Sequence, residues 1–233
     1  MPAPHSRISI LTLVALGLIL IWDASGGDLW LAHQAGSATG FPLRENFWLT
    51  RILHEGGKTV AWLLWLMLLT AVWRLPCWLR GLDLKSRWQL IIGVLVAVVI
   101  INILKYVSGS SCPWSLKEFG GTATYVPHWL WRNGDDGPGR CFPAGHASAG
   151  FAFMTAWFSW RRSSPITAAV WLGAAMATGL ILGVGQQLRG AHFMSHTLWT
   201  AWICWVTGWV VDIIFHWHRP ERARMPDSCS SRL

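Results

Sequence analysis

The chain has 233 residues, of which 53% are hydrophobic and only 13% are charged. Soluble domains carry about a quarter charged residues, so this composition excludes an ordinary soluble protein and a disordered one, and it favours an integral membrane protein. The formal net charge is +8, but the basic residues are divided between the two membrane faces and form no stripe with aromatic interleaving. We therefore expect anionic membrane lipids, not nucleic acid, as partners of these charges.

Six apolar segments follow one another and predict an all-α, polytopic membrane protein. A spanning helix needs about 20 residues, so we expect about six transmembrane helices in a single membrane-embedded domain over residues 1–233. The segments lie at 8–22, 59–73, 88–104, 147–160, 165–185 and 197–217. The first has an alternative interpretation, because Ala24-Ser25-Gly26-Gly27 after it resembles the small-residue cleavage site of a signal peptide.

The lysine and arginine positions predict the orientation of the bundle. With both termini inside, eleven of the 19 basic residues fall in inner segments, including the short basic loop Arg161-Arg162-Ser163-Ser164. The segments 23–58 and 105–145 then lie on the outer face, and the polar tail 219–233 is cytoplasmic. Within the first outer segment, residues 47–55 could form an interfacial helix on the bilayer surface.

The same topology separates the five cysteines. Cys77 and Cys229 fall inside and Cys204 lies within a helix, which leaves Cys112 and Cys141 on the outer face. The outer face of a bacterial inner membrane is oxidising, so we expect a disulfide between these two residues. Two free thiols are the alternative.

Titratable residues gather at the outer ends of three apolar segments. Lys105 closes one segment, His146 opens the next, and His192 and His196 lead into the last. Such groups are costly beside hydrocarbon, and in membrane proteins they mark functional sites. This cluster could bind a metal or transfer a phosphoryl group.

Phosphoryl transfer suits these residues better than metal binding. Only His192 and His196 have the spacing of metal ligands, and the neighbouring charges of Lys105, Arg140 and Arg189 would repel a cation. Cations and N–H donors are instead what the oxygens of a transferred phosphoryl group require. We therefore expect no metal and no cofactor.

Three phrases of this region resemble the signatures of the type 2 phosphatidic acid phosphatase (PAP2) superfamily. They occur in the family's order within a motif core at 105–196: Lys105 before Cys112-Pro113, then Pro143-Ala144-Gly145-His146, then His192 with His196 four residues later. The superfamily includes bacterial undecaprenyl-pyrophosphate phosphatases, lipid A phosphatases and phosphotransferases, and soluble vanadium haloperoxidases. The resemblance implies a helical bundle of the membrane-embedded bacterial branch.

The resemblance also implies a role for each matching residue. His192 lies at the position of the nucleophile, which would form a phosphohistidine, and His146 lies at that of the general acid. Lys105 matches a phosphate-binding lysine, and Gly145 would offer its backbone N–H to the phosphate. His196 replaces the family's aspartate, so it can orient the nucleophile but adds no negative charge.

Other departures from the family pattern predict relocated groups. Cys112 and Gln186 stand where the family has arginine, and Ala144 stands where it has serine. We expect Arg189, one helical turn after Gln186, and Arg140, just ahead of the second phrase, to bind the phosphate instead. A carboxylate for the nucleophile could come from a loop, although solvation explains each candidate equally well: Glu55, Glu118, Asp135 and Asp136.

These residues predict a metal-independent phosphatase or phosphotransferase of a bacterial inner membrane, with its active site facing the periplasm. The expected substrate is a lipid phosphate or diphosphate, such as undecaprenyl diphosphate, lipid A or a phospholipid phosphate. The alternative is a catalytically weak or inactive PAP2-like protein that binds phosphorylated lipid. The sequence indicates neither the lipid nor a protein partner.

Overall fold

The predicted all-α membrane bundle is present in the computed structural model, which describes residues 4–74, 81–130 and 134–216. The predicted tail at 219–233 lies outside the described residues. The long helices are α1 (Pro4–Ala24), α3 (Gly57–Arg74), α4 (Leu84–Val107), α7 (Pro165–Leu188) and α8 (Met194–His216). The shorter elements are α2 (Gly27–Ala35), a π-helix (Trp48–Gly56), α5 (Ser148–Phe151), α6 (Thr155–Trp160) and 3₁₀ turns at Pro113–Ser115, Lys117–Phe119, His128–Leu130 and Ala152–Met154.

Within the described residues, five helices are long and apolar enough to cross a membrane, so the chain is a multi-pass membrane protein. The fourth predicted segment is the continuous run from α5 to α6, which is shorter than the roughly 20 residues that span a bilayer. It nevertheless joins the two ends of the bundle. Just ahead of the run, the Ala144 N–H donates a hydrogen bond to the His196 backbone oxygen. Just after the run, the Arg161 guanidinium donates a hydrogen bond to the Asp212 carboxylate. Because this run is buried in the bundle core, it needs no long lipid-facing surface.

Local signals explain where two of the long helices begin. The Asp83 side chain caps α4 by accepting a hydrogen bond from the Ser86 N–H at 2.8 Å. Ser164 caps α7 in the same way through the Thr167 N–H, and Pro165 occupies the first helical position, where its missing N–H costs nothing.

The first helix packs against the last as part of the bundle. The indole N–H groups of Trp202 and Trp205 donate to the backbone oxygen and hydroxyl of Thr12, at 3.1 and 2.9 Å. Trp199 donates to Asp23 at 2.8 Å. These contacts favour a spanning helix over the alternative interpretation of residues 8–22 as a signal peptide.

The two outer segments fold over one end of the bundle as a packed layer. Asp28 of α2 accepts hydrogen bonds from the backbone and hydroxyl of Ser195, at the start of α8, where the helix dipole favours a carboxylate. Asp135 holds the second segment through the Ser111 N–H and hydroxyl. The apolar residues of this layer form a buried cluster: Ala32, Phe41, Leu116, Phe119, Ala123 and Phe193.

Residues 47–55, predicted as an interfacial helix, are helical and continuous with the bundle. These residues form the π-helix Trp48–Gly56, which continues directly into α3, and the whole stretch Trp48–Arg74 is one candidate membrane span. Leu53 packs against the backbone of Gly185 in α7, where an added Cβ would meet its Cδ2 at 2.2 Å. Side-chain packing against α7 therefore holds this stretch in the bundle.

Candidate active site

Backbone hydrogen bonds bring the three predicted phrases together at one end of the bundle. The Trp114 N–H donates to the Gly190 oxygen at 2.9 Å, which joins the first phrase to the third. The Ala144 N–H donates to the His196 oxygen at 3.2 Å, which joins the second phrase to the third. The loop residue Cys141 donates its N–H to Ser110, just after Lys105. Segments far apart in sequence therefore meet without relying on side-chain contacts alone.

The histidines of these phrases form a row with a further histidine at its end. Ring centroids are 5.8 Å apart between His196 and His192, 6.3 Å between His192 and His146, and 3.7 Å between His146 and His54. His54 belongs to the π-helix. His192 and His196 do not share a helix face, because α8 begins only at Met194.

Burial keeps the central imidazoles neutral. Desolvation lowers the pKa of His146 to about 3, with further lowering by the charges of His54 and Lys105. Desolvation also holds the pKa of His192 well below its usual range, and the Lys105 charge adds to that effect. A neutral imidazole is the nucleophilic form of a histidine side chain.

A cavity of about 440 Å³ lies between α3, α4 and the start of α5, beside this row. Its polar end is formed by His54, Lys58, Lys105, Gly145 and His146, and its apolar walls continue along the bundle. An added Cβ at Gly145 would lie 3.7 Å from the Lys105 ammonium, so the Gly145 backbone and this cation face the same space. The apolar wall residues are Ala61, Trp62, Trp65, Val94, Leu95, Val98, Ala149 and Phe153.

The structure does not place every predicted site residue at the cavity surface. Lys105, Gly145 and His146 line it, whereas His192 and His196 lie behind His146 and are each only 2% exposed. The ring of His192 therefore lies behind the ring of His146 and does not reach the cavity surface.

Cys112 and Cys141 form a disulfide, with their Cα atoms 5.2 Å apart. The Cys141 sulfur lies 3.5 Å from Nδ1 of His192, so the bond packs directly against that ring. Cys112, at the position where the family has an arginine, therefore contributes to a covalent tie beside the proposed nucleophile.

Arg189 contacts Gln186, which stands at the position of the family arginine that Arg189 was predicted to replace. Its guanidinium donates to the Gln186 side-chain oxygen at 3.2 Å and to the Arg44 backbone oxygen at 2.9 Å. Only 8% of Arg189 is exposed, and its charge is close enough to lower the pKa of His146. The cation therefore acts on the site electrostatically without lining the cavity.

Arg140 lies farther from the row. Its guanidinium carbon is 4.7 Å from the centre of the Tyr106 ring, at the exposed outer end of α4. Its backbone has φ of 58°, which is uncommon for a residue with a side chain. Arg140 is not among the residues that line the cavity.

Two residues that the sequence did not single out continue from His196: His128 lies beside it, and Asp23 lies beside His128. The His128 ring is 5.9 Å from the His196 ring and stacks on Phe142 at 4.2 Å. The other edge of His128 faces Asp23, with Nε2 and Oδ2 3.5 Å apart. Asp23 lies at the end of α1, so no local pattern connects it with the histidine phrases.

The four loop carboxylates considered from the sequence are occupied elsewhere or exposed. Glu55 pairs with Arg51 at 2.9 Å, and Glu118 lies 3.6 Å from His33. Asp135 accepts the hydrogen bonds of Ser111, and Asp136 is exposed to solvent. A carboxylate that approaches the row from another element is Asp23, which lies beside His128.

One group of side chains has the spacing of a metal site. Ligand atoms of Cys141, His192 and His196 lie within 4.8 Å of one another. Cys141 is engaged in the disulfide, however, and a disulfide sulfur is not the thiolate that binds metals. With the Lys105 cation nearby, these donors suit an anion better than a metal ion.

Comparison with known proteins agrees with this geometry. The family model described as the PAP2 superfamily matches residues 87–220, more than half of the chain. No curated protein and no solved structure matches the chain significantly. The matched residues contain all three phrases that the fold brings together, and the chain belongs to the PAP2 superfamily.

Proposed function

We propose that the protein hydrolyses or transfers the phosphate of a lipid phosphate or diphosphate. Membership of the PAP2 superfamily suggests phosphatase or phosphotransferase activity on phosphorylated substrates. The observation that supports a lipid is the cavity, whose polar end holds Lys105 and His146 and whose walls are apolar. Trp62 and Leu95 in those walls are 44% and 39% exposed, so the cavity reaches the lipid-facing surface between α3 and α4.

The proposed chemistry proceeds through a phosphohistidine. Nδ1 of His192 faces the disulfide, which leaves Nε2 to attack phosphorus as the bond to the lipid oxygen breaks. His146 donates a proton to that leaving oxygen. The negative charge of a bound phosphate raises the pKa of His146 and so favours the protonated form. Water, or the hydroxyl of a second lipid, then attacks phosphorus, gives its proton to His146 and releases His192.

The phosphate oxygens are stabilised by cations and N–H donors in this proposal. Lys105 and the Gly145 backbone bind the oxygens at the cavity, and Arg189 adds positive charge from behind His146. Arg140 binds from the rim, after leaving the Tyr106 ring. His196 orients the nucleophile.

We place the site on the periplasmic side of a bacterial inner membrane. Arg161 and Arg162 lie at the opposite end of the bundle, where the positive-inside rule locates the cytoplasm. The Cys112–Cys141 disulfide, at the same end as the histidines, suits an oxidising compartment.

A phosphate-release panel tests the proposal. The full chain in detergent with a chelator is given undecaprenyl diphosphate, lipid A, phosphatidic acid and phosphatidylglycerol phosphate. We expect release from at least one, and loss of more than about a thousandfold in kcat for His192→Ala and for His146→Ala. His33→Ala, an exposed histidine at the same end, is the matched control and retains activity. No release from any lipid, or undiminished release by His192→Ala, contradicts the proposal.

The burial of His192 favours a second candidate, a non-catalytic protein that binds phosphorylated lipid. A nucleophile that is 2% exposed must be reached past His146, and both signature arginines are replaced. Labelled substrate separates the two candidates. An acid-labile, base-stable phosphohistidine trapped in the wild type and absent from His192→Ala supports the enzyme, whereas saturable binding without trapped phosphate or turnover supports the binding protein.

A further inference from the structure

A segment outside the family match contributes two side chains to the polar end of the cavity. The match begins at residue 87, whereas His54 and Lys58 come from the π-helix and the first turn of α3. Both line the cavity together with Lys105 and His146. Short π-helical stretches are rare and occur frequently at functional sites.

Packing holds this segment in position. The His54 ring lies on the His146 ring, with centroids 3.7 Å apart and planes tilted by 37°. An added Cβ at Gly57 would come within 2.7 Å of the Leu182 side chain, so α3 approaches α7 closely at this point. Lys58 follows His54 by four residues, which places the two on one side of the helix.

The charge of the cavity is positive and uncompensated. The charged side chains that line it are Lys58 and Lys105, and no carboxylate is among its described lining residues. Neither lysine forms an ion pair with a described residue. An arrangement of two lysines and two imidazoles around one space suits a phosphate dianion.

The positions of the missing arginines explain why such a subsite is needed. Cys112 is held in the disulfide, and Gln186 has a neutral side chain that accepts a hydrogen bond from Arg189. Neither residue can supply a charge to the phosphate. The cavity therefore has fewer cations from the matched region than the family pattern provides.

We infer that His54 and Lys58 form, with Lys105, the phosphate-binding subsite of this protein, in place of the arginines absent at 112 and 186. The inference rests on the proposed function, because the ligand is the phosphate group of its lipid substrate. Lys58 supplies positive charge and His54 supplies an N–H donor to the phosphate in the cavity.

Kinetics of single variants test the subsite. We expect Lys58→Gln and His54→Asn each to raise KM by about tenfold with kcat within a few-fold of wild type, because a hydrogen bond to a charged group is lost from binding. Lys58→Arg restores KM. The matched controls are Lys117→Gln and His33→Asn, outer residues that do not line the cavity.

Inorganic phosphate provides a second readout that does not depend on turnover. Phosphate raises the unfolding temperature of a protein that binds it, and at a fixed phosphate concentration the increase is larger for tighter binding. We expect stabilisation of the wild type and of both control variants, and a reduced effect in Lys58→Gln and His54→Asn, all in detergent at equal ionic strength.

The outcomes separate the subsite from the proposed function. If the wild type releases phosphate but Lys58→Gln and His54→Asn keep its KM, the subsite is wrong and the function stands. If the wild type releases phosphate from no lipid, the function fails, and phosphate stabilisation alone decides the subsite. Equal stabilisation of wild type and variants, or none in either, overturns it.

Discussion

The two ends of the bundle differ in how their charged side chains are paired. At the end away from the histidines, Asp212 is fully buried and bonds to Arg161 at 2.7 Å and to Arg162 at 2.6 and 2.9 Å. Gln89 donates to the same carboxylate at 2.9 Å. At the histidine end, Nδ1 of His146 and of His196 have no partner among the described residues. At the first end a carboxylate therefore neutralises its neighbouring cations, whereas the cavity at the histidine end is lined by lysines with no described carboxylate and is available to an anionic ligand.

The largest effect that tests this contrast is expected at Asp212. Asp212→Asn leaves Arg161 and Arg162 without their counter-charge, and breaking a buried pair costs about 3–5 kcal/mol. Denaturant unfolding in mixed micelles measures the loss of stability, with the exposed Asp136→Asn as control. Phosphate release per folded molecule should stay near the wild-type value. Loss of activity without loss of stability would show that this end also takes part in function.

Breaking the disulfide should cost slightly less. Cys112 and Cys141 are 29 residues apart, and closing a loop of that length stabilises a protein by about 3.6 kcal/mol on the chain-entropy model. We expect this loss in unfolding of the Cys112→Ser/Cys141→Ser variant.

Thiol labelling of the denatured chain checks the bond itself. Of the five cysteines, three should react without reductant and all five with it. Five reactive thiols without reductant would contradict both the bond and the oxidising location.

Lower pH should reduce the free energy of unfolding through the buried histidine His146. The pKa of His146 is about 3 in the folded protein and about 6.5 when unfolded, so its contribution to stability is complete above pH 6.5 and is lost as pH falls towards 3. At pH 5 the loss from this residue alone is about 2 kcal/mol. Unfolding of the wild type at pH 7.5 and 5 should therefore differ more than that of His146→Gln. Equal pH dependence of the two proteins would refute the buried, neutral state of His146.

The smallest predicted effect separates the two arginines. Arg189 is buried and acts on His146 electrostatically, whereas Arg140 is exposed over Tyr106. We expect Arg189→Gln to lower kcat/KM about tenfold, the scale of one charge-assisted interaction, and Arg140→Gln to lower it about twofold. Steady-state phosphate release measures both. A larger loss in Arg140→Gln than in Arg189→Gln would indicate that the phosphate binds at the rim and not in the cavity.

Much of the fold could be predicted because hydropathy is a local property. Each predicted apolar segment coincides with helix, and the family phrases lie at the ends of those helices. The run at 147–160 was predicted as a helix of full length, but burial among other helices lets a shorter one cross the bundle core. The surroundings of His196 could not be predicted, because His128 comes from a distant loop and Asp23 from α1, and only the fold brings His128 beside His196 and Asp23 beside His128.

By itself the sequence determined which segments leave water, which titratable residues stand at their ends, and which family the phrases resemble, because residue type and spacing are written in the chain. Only the tertiary structure decided that His54 and Lys58 face Lys105, that Arg189 lies inside and Arg140 outside, and that His192 is one ring removed from the cavity. The physical reason is that these relations depend on how helices pack. A helix that shifts by one turn, about 5.4 Å, or rotates by one residue presents a different side chain to the same space.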